Sequence, residues 1–91
     1  MGLRYDRPAA DFIAAMAPGP KRALRKALDR LARDPLGASG LDVKALRNPL
    51  GRPWYRLRVG DYRVGYEVQG RVVYVVRVFH RRDGYGWMER S

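Results

Sequence analysis

From residue 54 onward, apolar and polar positions alternate, and this period of two predicts three strands separated by short turns. The segments run Trp54 to Val59, Tyr62 to Val68 and Arg71 to Arg81. Gly60-Asp61 and Gln69-Gly70 stand at the joints, where two-residue hairpins need a residue that tolerates positive φ. An antiparallel meander follows. Parity then sorts the side chains onto two faces. Tyr55, Leu57 and Val59, then Tyr62, Val64, Tyr66 and Val68, then Val72, Tyr74, Val76 and Val78 are expected on the core side. The opposite face is expected to carry Trp54, Arg56 and Arg58, next Arg63, Gly65 and Glu67, and last Val73, Val75, Arg77, Phe79 and Arg81.

Upstream the period changes. Leu3-Arg4-Tyr5-Asp6 reads as a short strand closed by Pro8, which suits the first turn of a helix. Ala9, Phe12, Ile13 and Met16 recur at helical spacing up to Ala17, and Pro18-Gly19-Pro20 is expected to end that helix. A second helix is expected over Lys21 to Arg33, with Leu24, Ala27, Leu28 and Leu31 on one stripe and a stop at Pro35. Residues 36–40 and 48–53 read as loop around a short segment, Leu41 to Leu46, and the glycine-rich tail after Arg81 has no clear period. The sum is an α+β chain: an N-terminal strand, an antiparallel helix hairpin and a mostly antiparallel sheet containing the C-terminal meander.

Ninety-one residues suit a single domain, 1–91, large enough to bury roughly 60–70% of its unfolded surface and too small for two cores. Nineteen Lys and Arg against nine Asp and Glu leave a net charge of +10, which favours polyanions and acidic proteins as partners. Without cysteine there is neither a disulfide framework nor a thiolate metal site, and one histidine cannot build a zinc site alone. No cofactor or metal is expected. No apolar run approaches the length of a bilayer span and no signal-peptide core opens the chain, so a soluble, cytoplasmic protein without a membrane partner is expected.

Like charges on neighbouring strands repel, and guanidinium groups do not lose their protons, so an arginine-lined face is more readily understood if it meets an anion. Arg56, Arg58, Arg63, Arg77 and Arg81, with Trp54, Phe79, Tyr85 and Trp87 among or near them, combine groups that contact phosphates with rings that stack on bases. The plainer alternative is a solvated basic face balanced by Asp61, Glu67 and Asp83. Lys21, Arg22, Arg25 and Lys26 read as an ordinary solvated helix face. His80 has core-side parity at a strand end, where it either closes the sheet or takes part in proton transfer. Phosphate-binding glycine loops and a Ser-His-Asp set are missing from the sequence.

The run Tyr55-Arg56-Leu57-Arg58-Val59-Gly60-Asp61-Tyr62-Arg63-Val64-Gly65-Tyr66-Glu67-Val68, followed by a valine-rich strand ending His80-Arg81-Arg82-Asp83-Gly84-Tyr85, resembles the RelE/ParE toxin superfamily, and more its RelE branch. Val43-Lys44-Ala45-Leu46 fits the segment ahead of the meander, and the resemblance spans nearly the whole chain. It implies the toxin of a type II toxin–antitoxin pair, a ribosome-dependent, metal-independent endoribonuclease (mRNA interferase) that cuts messenger RNA in the A site and inhibits translation. The implied partners are a cognate antitoxin, the ribosome and mRNA. The implied catalytic residues are Arg56, Arg58, Arg63, Arg81 and Tyr85, with the RNA's own 2′-hydroxyl as nucleophile. Where the RelE branch has lysines this chain has Arg56 and Arg58, which leaves the general base open among Tyr85, His80 and solvent. Gly65 replaces a bulky aliphatic residue, which implies either room on the basic face or a bulge. The alternatives are a ParE-like gyrase inhibitor and a non-catalytic RNA-binding module.

Overall fold

The computed structural model describes residues 2–34, 40–46 and 54–83. Its elements are β1 (Gly2–Tyr5), α1 (Arg7–Ala14), α2 (Pro18–Arg33), β2 (Asp42–Leu46), β3 (Trp54–Val59), β4 (Tyr62–Gln69) and β5 (Val72–His80). The five strands form one sheet in the order β1-β5-β4-β3-β2. β1 lies parallel to β5, and every other neighbouring pair is antiparallel. Both helices pack on one face of the sheet, α1 over β5 and α2 over β3. The expected α+β architecture with its C-terminal meander is what the chain adopts.

The helical stripes read from the sequence are the buried ones. Ala9, Ile13 and Met16 of the α1 region, and Leu24, Ala27, Leu28 and Leu31 of α2, meet Leu57, Val64, Tyr66, Val73, Val75 and Val78 of the sheet. Pro18-Gly19-Pro20, expected to terminate the first helix, instead forms the first turn of α2. The first amides of a helix have no intrahelical acceptor, so proline loses nothing there, and its fixed φ favours the start. The helices are joined by residues 15–17, and Lys21 Nζ reaches back to the Ala14 carbonyl at 3.0 Å, satisfying an end of α1.

Three further expectations are corrected. Asp42–Leu46 is a full strand pairing with β3, so the short segment expected between loops extends the sheet by one edge. The second hairpin turn is Gly70-Arg71, because Gln69 still pairs with Val72. Gly60 and Gly70 each take the first turn position with positive φ, +56° and +59°, which L side chains adopt only with strain.

The third correction concerns β5. Val73 and Val75 are fully buried, whereas Val72, Tyr74 and Val76, expected in the core, are only partly covered. A register shift beside Gly65 and Tyr66 explains this: Gly65 pairs with Arg77 and Tyr66 with Val75, so Val76 is an extra residue. Beyond the bulge, Val78 keeps its expected core side. Alternation fails as a guide in this strand because Val72-Val73-Tyr74-Val75-Val76 is apolar throughout, so parity extended backward from Val78 crosses the bulge unseen. Residues 35–39, 47–53 and 84–91, including the loop and tail expected there, lie outside the described residues.

Candidate functional site

The sheet face opposite the helices carries the candidate residues. Directly opposed residues on neighbouring strands share a face, so the register fixes the layout. Trp54 faces Glu67, Arg56 faces Gly65 and Arg58 faces Arg63 across β3 and β4. Arg63 then faces Phe79, and Gly65 faces Arg77, across β4 and β5. The structure therefore brings Trp54, Arg56, Arg58, Arg63, Arg77 and Phe79 onto one surface. Gly65, which has no side chain, stands between Arg56 and Arg77 and is buried.

Among the described residues, Asp42 and Asp61 place carboxylates beside these arginines. Asp42 of β2, opposite Arg58, places Oδ2 3.7 Å from Arg58 Nε and Oδ1 3.9 Å from Arg56 Nη2. The two arginines differ in setting. Arg56 is 11% exposed at its side chain, and Arg58 is 53% exposed. Arg56 is thus pre-ordered, and Arg58 remains open to a ligand.

At one end, the Gly60-Asp61 turn gathers two more arginines. Arg63 Nη1 donates to the carbonyls of Gly60, at 2.9 Å, and Tyr62, at 3.0 Å. The Arg81 amide donates to the Asp61 carbonyl at 2.8 Å, and Arg81 Nε lies 3.5 Å from Asp61 Oδ1. Both partners of that ion pair are 61% exposed, so it contributes little to stability and serves mainly to orient the guanidinium. Arg77 Nη1 donates to the Val76 carbonyl at 3.3 Å, beside the bulge.

His80 lies elsewhere. It pairs with Tyr62 on the helix-facing side, with ring centroids 5.4 Å apart and planes at 81°. Its Nδ1 accepts the Arg82 amide at 3.2 Å. Tyr85 and Trp87 lie outside the described residues.

Sequence reasoning passed over four residues of this face. Asp42 and Lys44, opposite Arg58 and Arg56, were hidden because β2 was not read as a strand. Tyr74 was placed in the core by the parity error; it faces Glu67 on one side and Arg4 of β1 on the other. Arg4 needed the β1–β5 pairing, which no local pattern supplies. Beneath the sheet, Tyr66 is fully buried and stacks on Tyr55 at 5.4 Å and 22°. Burial, then the neighbouring Tyr55 and Asp34, push its phenol far above the usual tyrosine range, so it stays protonated.

A known family matches residues 5–85, described as the ParE toxin of the type II toxin-antitoxin system parDE. A curated relative, Toxin RelE3 of Methanocaldococcus jannaschii, is 40% identical over 47 residues. That stretch is 52% of this chain and 51% of the relative, so the match spans about half of that protein's length. Among solved structures, the archaeal RelE–RelB complex from Pyrococcus horikoshii superposes with a TM-score of 0.76 at 23% identity, covering 90% of this chain and 96% of that one. The toxin–antitoxin complex RelBE2 from Mycobacterium tuberculosis gives 0.71 at 28% identity, covering 88% and 96%.

Proposed function

Since this chain belongs to the ParE toxin family of type II toxin–antitoxin systems, we propose that it is a RelE-like endoribonuclease that cuts messenger RNA in the ribosomal A site. The supporting observation is the gathering of Arg56, Arg58, Arg63 and Arg77 on the face of the sheet that the helices leave open, with Arg81 at its end and Arg56 largely buried within it. A cell that makes such a protein needs a cognate antitoxin to cover it, as RelB accompanies the RelE toxins of the superposed complexes.

In this reading the RNA 2′-hydroxyl attacks the adjacent phosphorus, the 5′-oxygen leaves, and a 2′,3′-cyclic phosphate results. Arg63 and Arg81, held at the Gly60-Asp61 turn, donate to the phosphate oxygens as charge accumulates in the transition state. Each well-placed donor contributes on the order of 3 kcal/mol, by analogy with an oxyanion-hole donor. Guanidinium groups thereby fill the role that a metal ion plays in other nucleases. Arg58 and Arg77 hold flanking phosphates, while Trp54 and Phe79 supply rings for bases. Tyr85 is assigned to base stacking or proton transfer. The requirement for a 2′-hydroxyl selects RNA over DNA without a dedicated pocket.

The test programmes ribosomes with a defined message and maps cut sites in the presence of the purified chain. Cutting confined to A-site codons, and abolished by a single 2′-deoxy nucleotide 5′ of the scissile phosphate, supports the reading; unchanged cutting of the deoxy message would point to an activated water. The family match is to the ParE toxin, and the competing activity that the resemblance implies is a ParE-like inhibition of gyrase. Loss of supercoiling activity in the presence of the chain, with intact messages on ribosomes, would replace the nuclease assignment.

A further inference from the structure

Arg81 lies one residue beyond β5, where a side chain would ordinarily follow a loose loop. Here the backbone around it is fixed from two sides. On one side the Arg81 amide donates to the Asp61 carbonyl, and its Nε approaches the Asp61 carboxylate. On the other side is His80, through two acceptors. The His80 carbonyl takes the Asp83 amide at 2.8 Å, closing a four-residue turn with Arg81 and Arg82 at its centre. His80 Nδ1 takes the Arg82 amide at 3.2 Å, so a side-chain acceptor fixes the middle of the same turn.

An imidazole nitrogen accepts only through an unprotonated lone pair, so the ring in this arrangement carries its proton on Nε2. Its orientation is set by the Tyr62 ring, whose other edge-on neighbour is Phe12 of α1 at 6.1 Å and 70°. A continuous set of contacts therefore runs from the first helix, through Tyr62 and His80, into the turn that carries Arg81. With Nδ1 engaged by the backbone and the ring on the helix side, His80 is poorly placed to accept a proton from RNA.

We propose that His80 is a positioning residue for Arg81, its ring serving as the fixed acceptor that shapes the turn presenting that guanidinium. The functional consequence rests on the assignment of Arg81 to RNA; the structural one does not. Phenylalanine would keep the edge contact with Tyr62 and lose the acceptor. Asparagine would lose the ring and keep an acceptor, because Oδ1 lies the same number of bonds from Cα as Nδ1.

The experiment compares wild type, His80→Phe and His80→Asn by NMR and by cleavage of ribosome-bound message. This is the chain's one histidine, so its ring nitrogens give unambiguous signals. At mildly alkaline pH the ring should show the Nε2–H tautomer. The Arg82 amide should exchange faster, and Arg81 Nε–H should lose order, in His80→Phe; both should return toward wild type in His80→Asn. Cleavage should follow, with kcat falling about tenfold to a hundredfold in His80→Phe, KM little changed, and partial recovery in His80→Asn. Unchanged Arg82 exchange and Arg81 order in His80→Phe would overturn the proposal, as would a folded His80→Asn that behaves like His80→Phe. If wild type cut no message, the nuclease reading would fall, while the Arg82 and Arg81 signals would still decide the role of His80.

Discussion

The arginines of the open face differ in how firmly they are held. Arg63 donates twice to backbone at the Gly60 turn, Arg81 leans on Asp61, and Arg58 is half exposed beside Asp42. Arg63→Ala and Arg81→Ala should therefore abolish cutting while moving stability by no more than about 1 kcal/mol, checked by ribosome cleavage and thermal melting of the same samples. A large drop in melting temperature would show that these side chains support the fold instead. Arg58 and Arg63 were legible in the sequence because strict alternation in β3 and β4 fixes their side. Asp42 was not, since nothing local marks β2 as a strand. Tyr66 supports a second expectation. Its folded-state phenol loses a proton at higher pH than the unfolded one, near 10, so its contribution is complete below that value. Above it the unfolded state binds fewer protons, and stability falls as pH rises. Tyr5, raised by burial and Asp29 against the effect of Arg25, adds the same sign. Denaturant melts from neutral to strongly alkaline pH should show this decline, and Tyr66→Phe should lessen its slope.

At the scale of elements, the bulge in β5 decides which valines reach the core, and it was the feature least legible beforehand. A run of five apolar residues gives no parity signal, whereas in α2 the stripe Leu24, Ala27, Leu28 and Leu31 is set off by charged neighbours and was read correctly. Because Val76 is supernumerary, deleting it leaves Val75 against Tyr66 and Arg77 against Gly65 in a regular ladder. The shortened chain should fold with the same core at a cost of no more than about 2 kcal/mol. Truncating a fully buried residue of the helix layer, as in Leu31→Ala, should cost more, about 2–5 kcal/mol. Chemical denaturation of both variants makes the comparison. An unfolded deletion variant would mean that the bulge itself is required, through the local twist it gives the sheet beside Arg77.

For the whole molecule, the net charge of +10 was plain from composition, but its distribution needed the fold. The open face holds Arg56, Arg58, Arg63 and Arg77, with Arg81 at its end. Lys21, Arg22, Arg25 and Lys26 sit on α2, on the other side of the sheet. An α-helix with its side chains is about 10–12 Å thick, at least a Debye length of ~10 Å at 0.1 M salt, so the two groups act nearly independently on a bound anion. If single-stranded RNA binds the open face through about five phosphate contacts, log K against log salt should fall with a slope of about −3.5. Arg58→Ala with Arg77→Ala should flatten that slope by about 1.4. Arg22→Ala with Lys26→Ala lowers net charge by the same two units and should leave the slope nearly unchanged. The helix pair should also raise stability by a few tenths of a kcal/mol, since it removes like charges four residues apart near the positive end of the helix dipole. Binding isotherms on a short RNA at several salt concentrations decide between the two distributions. Equal flattening by both double variants would mean that the RNA responds to overall charge, and that the open face is no distinct binding surface.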